Sequence, residues 1–379
     1  MMVQRRQFIT GLSSLSLLGS PLFNARAEGL AKRNLVVIML RGGMDGLTAV
    51  PVKDSRLSNA RPDISVDETL PLTSDFQLHP RLRHFHELWQ KGQAAVVHAT
   101  NIPYTNRSHF EGQDVMQSGG HVPYGDNTGW LGRGLSEANL DGVALSLPMP
   151  LLLRGNIVPD NFYPANFPLP RDFVMDKVAD SYQHDAEIKE MMAKIQGRPR
   201  SMSFYTSSDI DVLARQAAEQ LADAAGPRVA VFDIGGFDTH AAQGGSDGEH
   251  GEKLRDYDRV LKLLSLGLKD ALDDTLILTL TEFGRKLHQN GGYGTEHGYG
   301  TAILMAGGLV KQSQVYADWP GLKSGDLFEG QDLMATIDAR SVYCSAMATC
   351  FDTDFEKIRR GAFYGDPLDD LSDKLFRVS

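Results

Sequence analysis

Apolar residues in this chain fall into short dense runs, separated by stretches in which they recur every three or four positions. Dense runs of four to eight are the pattern of strands buried on both faces, and the wider spacing is that of helices with one buried stripe. Read this way, strands are predicted near 35–40, 94–98, 143–153, 228–233, 275–281 and 301–306. Helices are predicted near 81–91, from 108, and near 183–195, 208–225, 249–271 and 331–350. In the first helix Leu82, Phe85 and Leu88 make the buried stripe, which leaves His79, His84 and His86 on its surface. The alternation predicts an α/β fold, with a mainly parallel central sheet and helices on both faces. A mostly irregular stretch begins at Gly155, and residues 155–205 are expected to form a cap or insertion within one domain spanning 28–379. No internal repeat or low-complexity tract interrupts the pattern.

Three of the strand-like runs end in acidic loops. Val229-Ala230-Val231-Phe232 leads to Gly235-Gly236-Phe237-Asp238-Thr239-His240, Leu35–Leu40 leads to Arg41-Gly42-Gly43-Met44-Asp45, and Thr275–Leu280 leads to Thr281-Glu282-Phe283-Gly284-Arg285. In open α/β sheets, chemistry gathers at the carboxyl ends of the strands. Asp45, Asp238, His240 and Glu282 therefore become candidates for one site. The glycine pairs at 42–43, 235–236 and 291–292 read as turns that let backbone crowd that site. They do not form a dinucleotide fingerprint.

The first 27 residues read as a twin-arginine secretory signal: Arg5-Arg6, a short apolar run from Gly11 to Leu18, and Ala25-Arg26-Ala27 before the expected cut. The run is too short and too interrupted by Gly11, Gly19 and Pro21 to span a bilayer, so no stable membrane span is expected. Periplasmic or secreted localisation follows, with the twin-arginine translocase as a transient partner. Loss of the leader removes Arg5, Arg6 and Arg26 and no acid, leaving 35 of the 38 basic residues against 48 acidic ones, a net of −13. So acidic a chain is ill suited to nucleic acid or anionic lipid. Cys344 and Cys350 lie six apart in a helical pattern and face different ways, which argues against a disulfide.

The segment from Val96 to Gly119 supports two readings. Ser108 and Glu111 fit a capping box at the start of a helix. A serine at a helix start is equally where free amides and the dipole favour an alkoxide and an incoming anion. His109 beside it is a candidate base or ligand, and His98 after an apolar strand reads as a satisfied interior histidine or a support to the site. Arg41, Arg107 and Arg285 flank the motifs, either to clamp an anionic substrate or to pair with neighbouring acids. His250 and His288 match no motif.

The ordered set RGGMDGL, YTNRSHFEGQD, GFDTHAAQGG and TLTEFGRKLHQNGGYGTEHG, with the twin-arginine leader, resembles the secreted domain-of-unknown-function 1501 proteins. That family is grouped with the alkaline phosphatase and sulfatase superfamily, so the resemblance implies an alkaline phosphatase-like fold. It also implies one or two divalent ions, zinc, manganese, magnesium or calcium, held by Asp45, Asp238, His240, Glu282 and His297. Ser108 is the implied nucleophile, with His109, Arg107 and Arg285 around it. Glu282-Phe283 stands where the superfamily has an Asp-His pair, and the interval from Asp238 to His240 is shorter than its usual one. The expectation is a periplasmic metal-dependent hydrolase of phosphate or sulfate esters, acting on a small anionic ester or a cell-envelope glycan. The alternatives are a non-catalytic secreted binding protein that keeps the fold, and a hydrolase that uses metal-activated water.

Overall fold

The computed structural model describes residues 32–162, 177, 180, 181 and 210–377. The predicted leader over 1–27, the helix near 183–195 and most of the 155–205 cap lie outside these residues. One mixed sheet of nine strands organises the rest. Its strands are β1 Asn34–Leu40, β2 Ala94–Asn101, β3 Gly142–Ala144, β4 Asp160–Asn161, β5 Val229–Ile234, β6 Thr275–Leu280, β7 Thr301–Ala306, β8 Val315–Tyr316 and β9 Ile337–Asp338. Across the sheet the order is β8-β2-β7-β6-β1-β5-β3-β4, with β9 also paired to β2. β7 runs antiparallel to both of its neighbours, and the remaining pairings are parallel.

β1 is central and buried at all seven positions, so its side chains divide between two cores. Leu35, Val37 and Met39 face one side with Val231, Leu278 and Met305. There they meet helices α2 His109–Ser118, α3 Trp130–Ala138, α6 Ala339–Cys350 and α7 Phe355–Phe363. Val36, Ile38 and Leu40 face the other with Ala230, Phe232 and Ile277, against α1 Arg83–Gln90, α4 Ile210–Ala222 and α5 Glu249–Leu268. This is the two-layered cover that continuous apolar strands require. Among the described residues, no helix is long and apolar enough to cross a membrane. Cys344 and Cys350 are free and buried.

Several boundaries differ from the sequence reading. The strand expected over 143–153 stops at Ala144, and Leu151–Leu153 is a single 3-10 turn. Pro148 and Pro150 in between lack the N–H a ladder needs. The last long helix begins at Ala339 because Asp338 caps it, accepting from Arg340 N at 2.9 Å. Helix α3 carries Gly132 and Gly134, which weaken its helical signal. A Cβ on Gly132 would lie 2.4 Å from the carbonyl oxygen of Arg154, so the glycine is required by packing. His79 is fully buried ahead of α1, accepting from Arg81 N at Nδ1 and donating from Nε2 to Gly245 O at 3.0 Å. It is an interior residue, not part of a helix surface.

Candidate metal centre

β6, β1 and β5 are adjacent and parallel, so the loops after Leu280, Leu40 and Ile234 leave the same edge of the sheet. Gly42 makes their close approach feasible: its φ is +117°, and a Cβ there would sit 2.4 Å from Asp238 N. Arg285 ties the loops together from beneath. It is buried and donates to the carbonyl oxygens of Gly42, Gly43, Phe237 and Thr295, and to Asp238 Oδ1 at 2.7 Å. With its donors occupied by main chain and by Asp238, Arg285 fixes the loops to one another.

Three imidazoles converge on Asp238. His240 Nε2 and His297 Nε2 each lie 3.0 Å from Asp238 Oδ1, and 2.9 Å from one another. His109 Nε2 lies 3.2 Å from Asp238 Oδ2, buried and without an aligned hydrogen bond. Ligand atoms of His109, Asp238 and His297 all fall within 4.8 Å of one another.

The far nitrogen of every ring is held by an acceptor. His109 Nδ1 is 2.8 Å from Glu282 Oε1, His240 Nδ1 is 3.0 Å from Glu296 Oε2, and His297 Nδ1 is 2.8 Å from the carbonyl oxygen of Arg107. A carbonyl or carboxylate can only accept, so these partners place the proton on Nδ1 and leave each Nε2 lone pair facing Asp238. Outer-shell acceptors of this kind are what orient histidines that bind a metal.

The electrostatics follow from these contacts. Burial acts to raise the Asp238 carboxyl, but the Arg285 guanidinium and the neighbouring histidines outweigh it and hold it at about 2. His109 is raised, chiefly by its bond to Glu282. His297 is lowered, chiefly by burial. Glu282 is wholly buried, and its desolvation is overcome by donors from His109, Gln113 and Gly42, which keep it ionised.

The other predicted residues make different contacts. Glu282 contacts His109 from the Nδ1 side, its Oε1 already accepting from Gly42 N, His109 and Gln113. Asp45 is buried in a second polar network. It caps the turn Gly46–Ala49, pairs with Arg61 Nη1 at 2.6 Å and accepts from Gln243 Nε2 at 2.7 Å. Ser108 is the N-cap of α2, but its side chain makes no capping bond, and Glu111 instead accepts from the Tyr104 hydroxyl at 2.8 Å. The capping box is therefore not formed. Arg107 pairs with Glu329 and Asp332, and Arg41 with Asp233 and Gln113.

Four contributors were not identified from sequence: Glu296, Gln113, Arg61 and Gln243. A signal existed for Gln113, which lies four residues after His109 and so shares its helix face. Glu296 is next to His297 in sequence, but only the fold brings it to His240.

The profile of a family described as "Protein of unknown function (DUF1501)" matches residues 172–351. The match takes in Asp238, His240, Glu282 and His297, and begins after His109. No curated protein matches the chain. Among solved structures, Ps i-CgsB in complex with k-i-k-neocarrahexaose is similar at TM-score 0.45 and 12% identity, over 90% of this chain and 76% of that one. Inactive murine ectonucleotide pyrophosphatase/phosphodiesterase 5 in complex with AMP is similar at TM-score 0.44 and 11% identity, over 91% and 100%. The PsFucS1 sulfatase from Pseudoalteromonas sp. is similar at TM-score 0.38 and 14% identity, over 93% and 72%.

Proposed function

We propose that this protein is a metal-dependent hydrolase of phosphate or sulfate esters, working in the periplasm after twin-arginine export. The observation that carries the reading is the set of three imidazoles aimed at one carboxylate, each with its other nitrogen held by an acceptor. The donor set fits a divalent ion: nitrogen and oxygen only, with His109 Nε2 buried and lacking an aligned partner. His109, Asp238, His240 and His297 would hold one ion. A bound ion of this kind supplies Lewis acidity and neutralises charge that grows on a transferred phosphoryl or sulfuryl group.

Ser108 adjoins His109, and its side chain is not used as a helix cap, which supports its role as nucleophile. The free amides of the first turn of α2 favour the anionic end of a substrate there. Asp238 and His240 are partly exposed, which leaves a way in for that group. The periplasmic assignment rests on the Arg5-Arg6 leader pattern.

The test is turnover of p-nitrophenyl phosphate and p-nitrophenyl sulfate by protein incubated with zinc, manganese, magnesium or calcium. Turnover lost in both Ser108→Ala and Asp238→Ala is the expected result. Turnover lost in Asp238→Ala alone would transfer the attack from serine to water, and no turnover with any ion would remove the hydrolase reading.

A further inference from the structure

A cleft of about 500 Å³ is lined by Arg41, Gln113 and Phe110 among others; the His109–Asp238–His297 cluster does not itself line it. It is tied to the centre by short links. Gln113 donates to Glu282 at 3.0 Å, Glu282 holds His109, and Phe110 directly follows His109 in the chain. We propose that this cleft binds the sugar ring of a saccharide whose ester group meets the His109–Asp238–His297 cluster. Placement of the ester group rests on the proposed hydrolase activity; the sugar site does not.

Two features point to that ligand. The first is a pair of large aromatic side chains left in solvent: Phe110 is 81% exposed and Tyr124 is 66% exposed, and both line the cleft. Aromatic faces presented to water with polar groups beside them suit a ligand that is apolar on one face and hydroxylated at its edge. Tyr124 is also held in the left-handed backbone region at φ 59°, an uncommon conformation for a non-glycine residue. Asp114 secures it, accepting from Tyr124 N at 2.7 Å.

The second feature is charge. Arg41 is already paired with Asp233, whereas Asp114 and Asp126 accept from neutral donors, the Tyr124 amide and the Tyr364 hydroxyl. Arg154 supplies one cation against these two carboxylates. A second phosphate, or a polyanionic chain, would meet a net negative lining there. Carboxylates with Gln113 and Asn127 beside them are instead the acceptors and planar amides that hydroxyl groups require.

The experiment is an NMR titration of the full chain with the methyl glycosides of glucose, galactose, mannose and N-acetylglucosamine, and with hypoxanthine as a flat, uncharged competitor that carries no sugar ring. At least one glycoside should bind, and Kd should rise about tenfold in the Phe110→Ala/Tyr124→Ala double variant, the loss of roughly one stacking contact. Both side chains are exposed, so an unchanged melting temperature should show that the variant is folded. Failure of all four glycosides to bind, an unchanged Kd in the variant, or a preference for hypoxanthine would overturn the proposal. Because free glycosides carry no ester, this result is independent of whether p-nitrophenyl esters are turned over.

Discussion

His240 Nε2 and His297 Nε2 stand 2.9 Å apart, and both reach the same oxygen of Asp238. With the Nδ1 protons of both rings committed to Glu296 and to the Arg107 carbonyl, two lone pairs point at each other. A proton or a cation between them removes that repulsion. At the proposed metal site zinc would compete with protons, so zinc affinity should fall as pH is lowered. Competition with a chromogenic chelator at pH 8 and at pH 6 measures this; equal affinity at the two values would place zinc elsewhere.

Glu282→Gln keeps the shape of the side chain but removes the charge that holds His109 Nδ1. The raised pKa of His109 should fall back toward its ordinary range, since the Glu282 hydrogen bond is its largest cause. Metal affinity should weaken about 10- to 100-fold, as for other outer-shell partners. NMR titration of His109 in the metal-free protein, together with zinc affinity, checks both. Loss of all bound metal with no change at His109 would mean that Glu282 is itself a ligand.

Asp45 separates the resemblance from the structure most sharply. As a metal ligand, its loss would empty the site and leave stability nearly intact. In the structure it faces Arg61 in a wholly buried pair, and that contact, with Thr48, holds its carboxyl at about 2 despite burial. Asp45→Asn should therefore cost about 3–5 kcal/mol by urea unfolding, because Arg61 is left as an uncompensated buried charge. Metal content should be retained in the folded fraction.

Acid should destabilise the fold between pH 6.5 and 4 through His98. Burial is the main cause lowering this residue to about 4; Nε2 donates to Val50 O at 3.0 Å and Nδ1 accepts from Ala99 N. The unfolded chain takes up the proton first as pH falls. The contribution is thus complete above about 6.5 and gone below about 4, roughly 3 kcal/mol in all. His98→Gln should be less stable at pH 7, with a flatter dependence across that window. An unchanged slope in urea unfolding at pH 7 and 4.5 would exclude His98 as the source.

Much of this was legible in the sequence where one physical rule acts alone. Leu35–Leu40 and Thr275–Leu280 are continuous apolar runs, and strands buried on both faces allow little else. That put Asp238 and Glu282 correctly at one edge. Rules in competition hid the rest. Gly132 and Gly134 weaken the helix pattern of α3 while serving packing against Arg154 and Met347 respectively. Ser108 and Glu111 have capping-box spacing, yet the Tyr104 hydroxyl takes Glu111. Whether a carboxylate binds metal or supports a ligand is set by neighbours far away in sequence. Glu282 accepts from His109 and Gln113, which α2 brings onto it, and Asp45 is paired with Arg61, far from it in sequence.

The central claim is that His109, Asp238, His240 and His297 form one metal site. Elemental analysis of protein purified without chelator, beside His297→Ala and Asp45→Asn, tests it most directly. About one divalent ion per chain, lost in His297→Ala and kept in Asp45→Asn, is the predicted result. Protein that stays metal-free after incubation with zinc, manganese, magnesium and calcium, or that keeps its ion in His297→Ala, would contradict it.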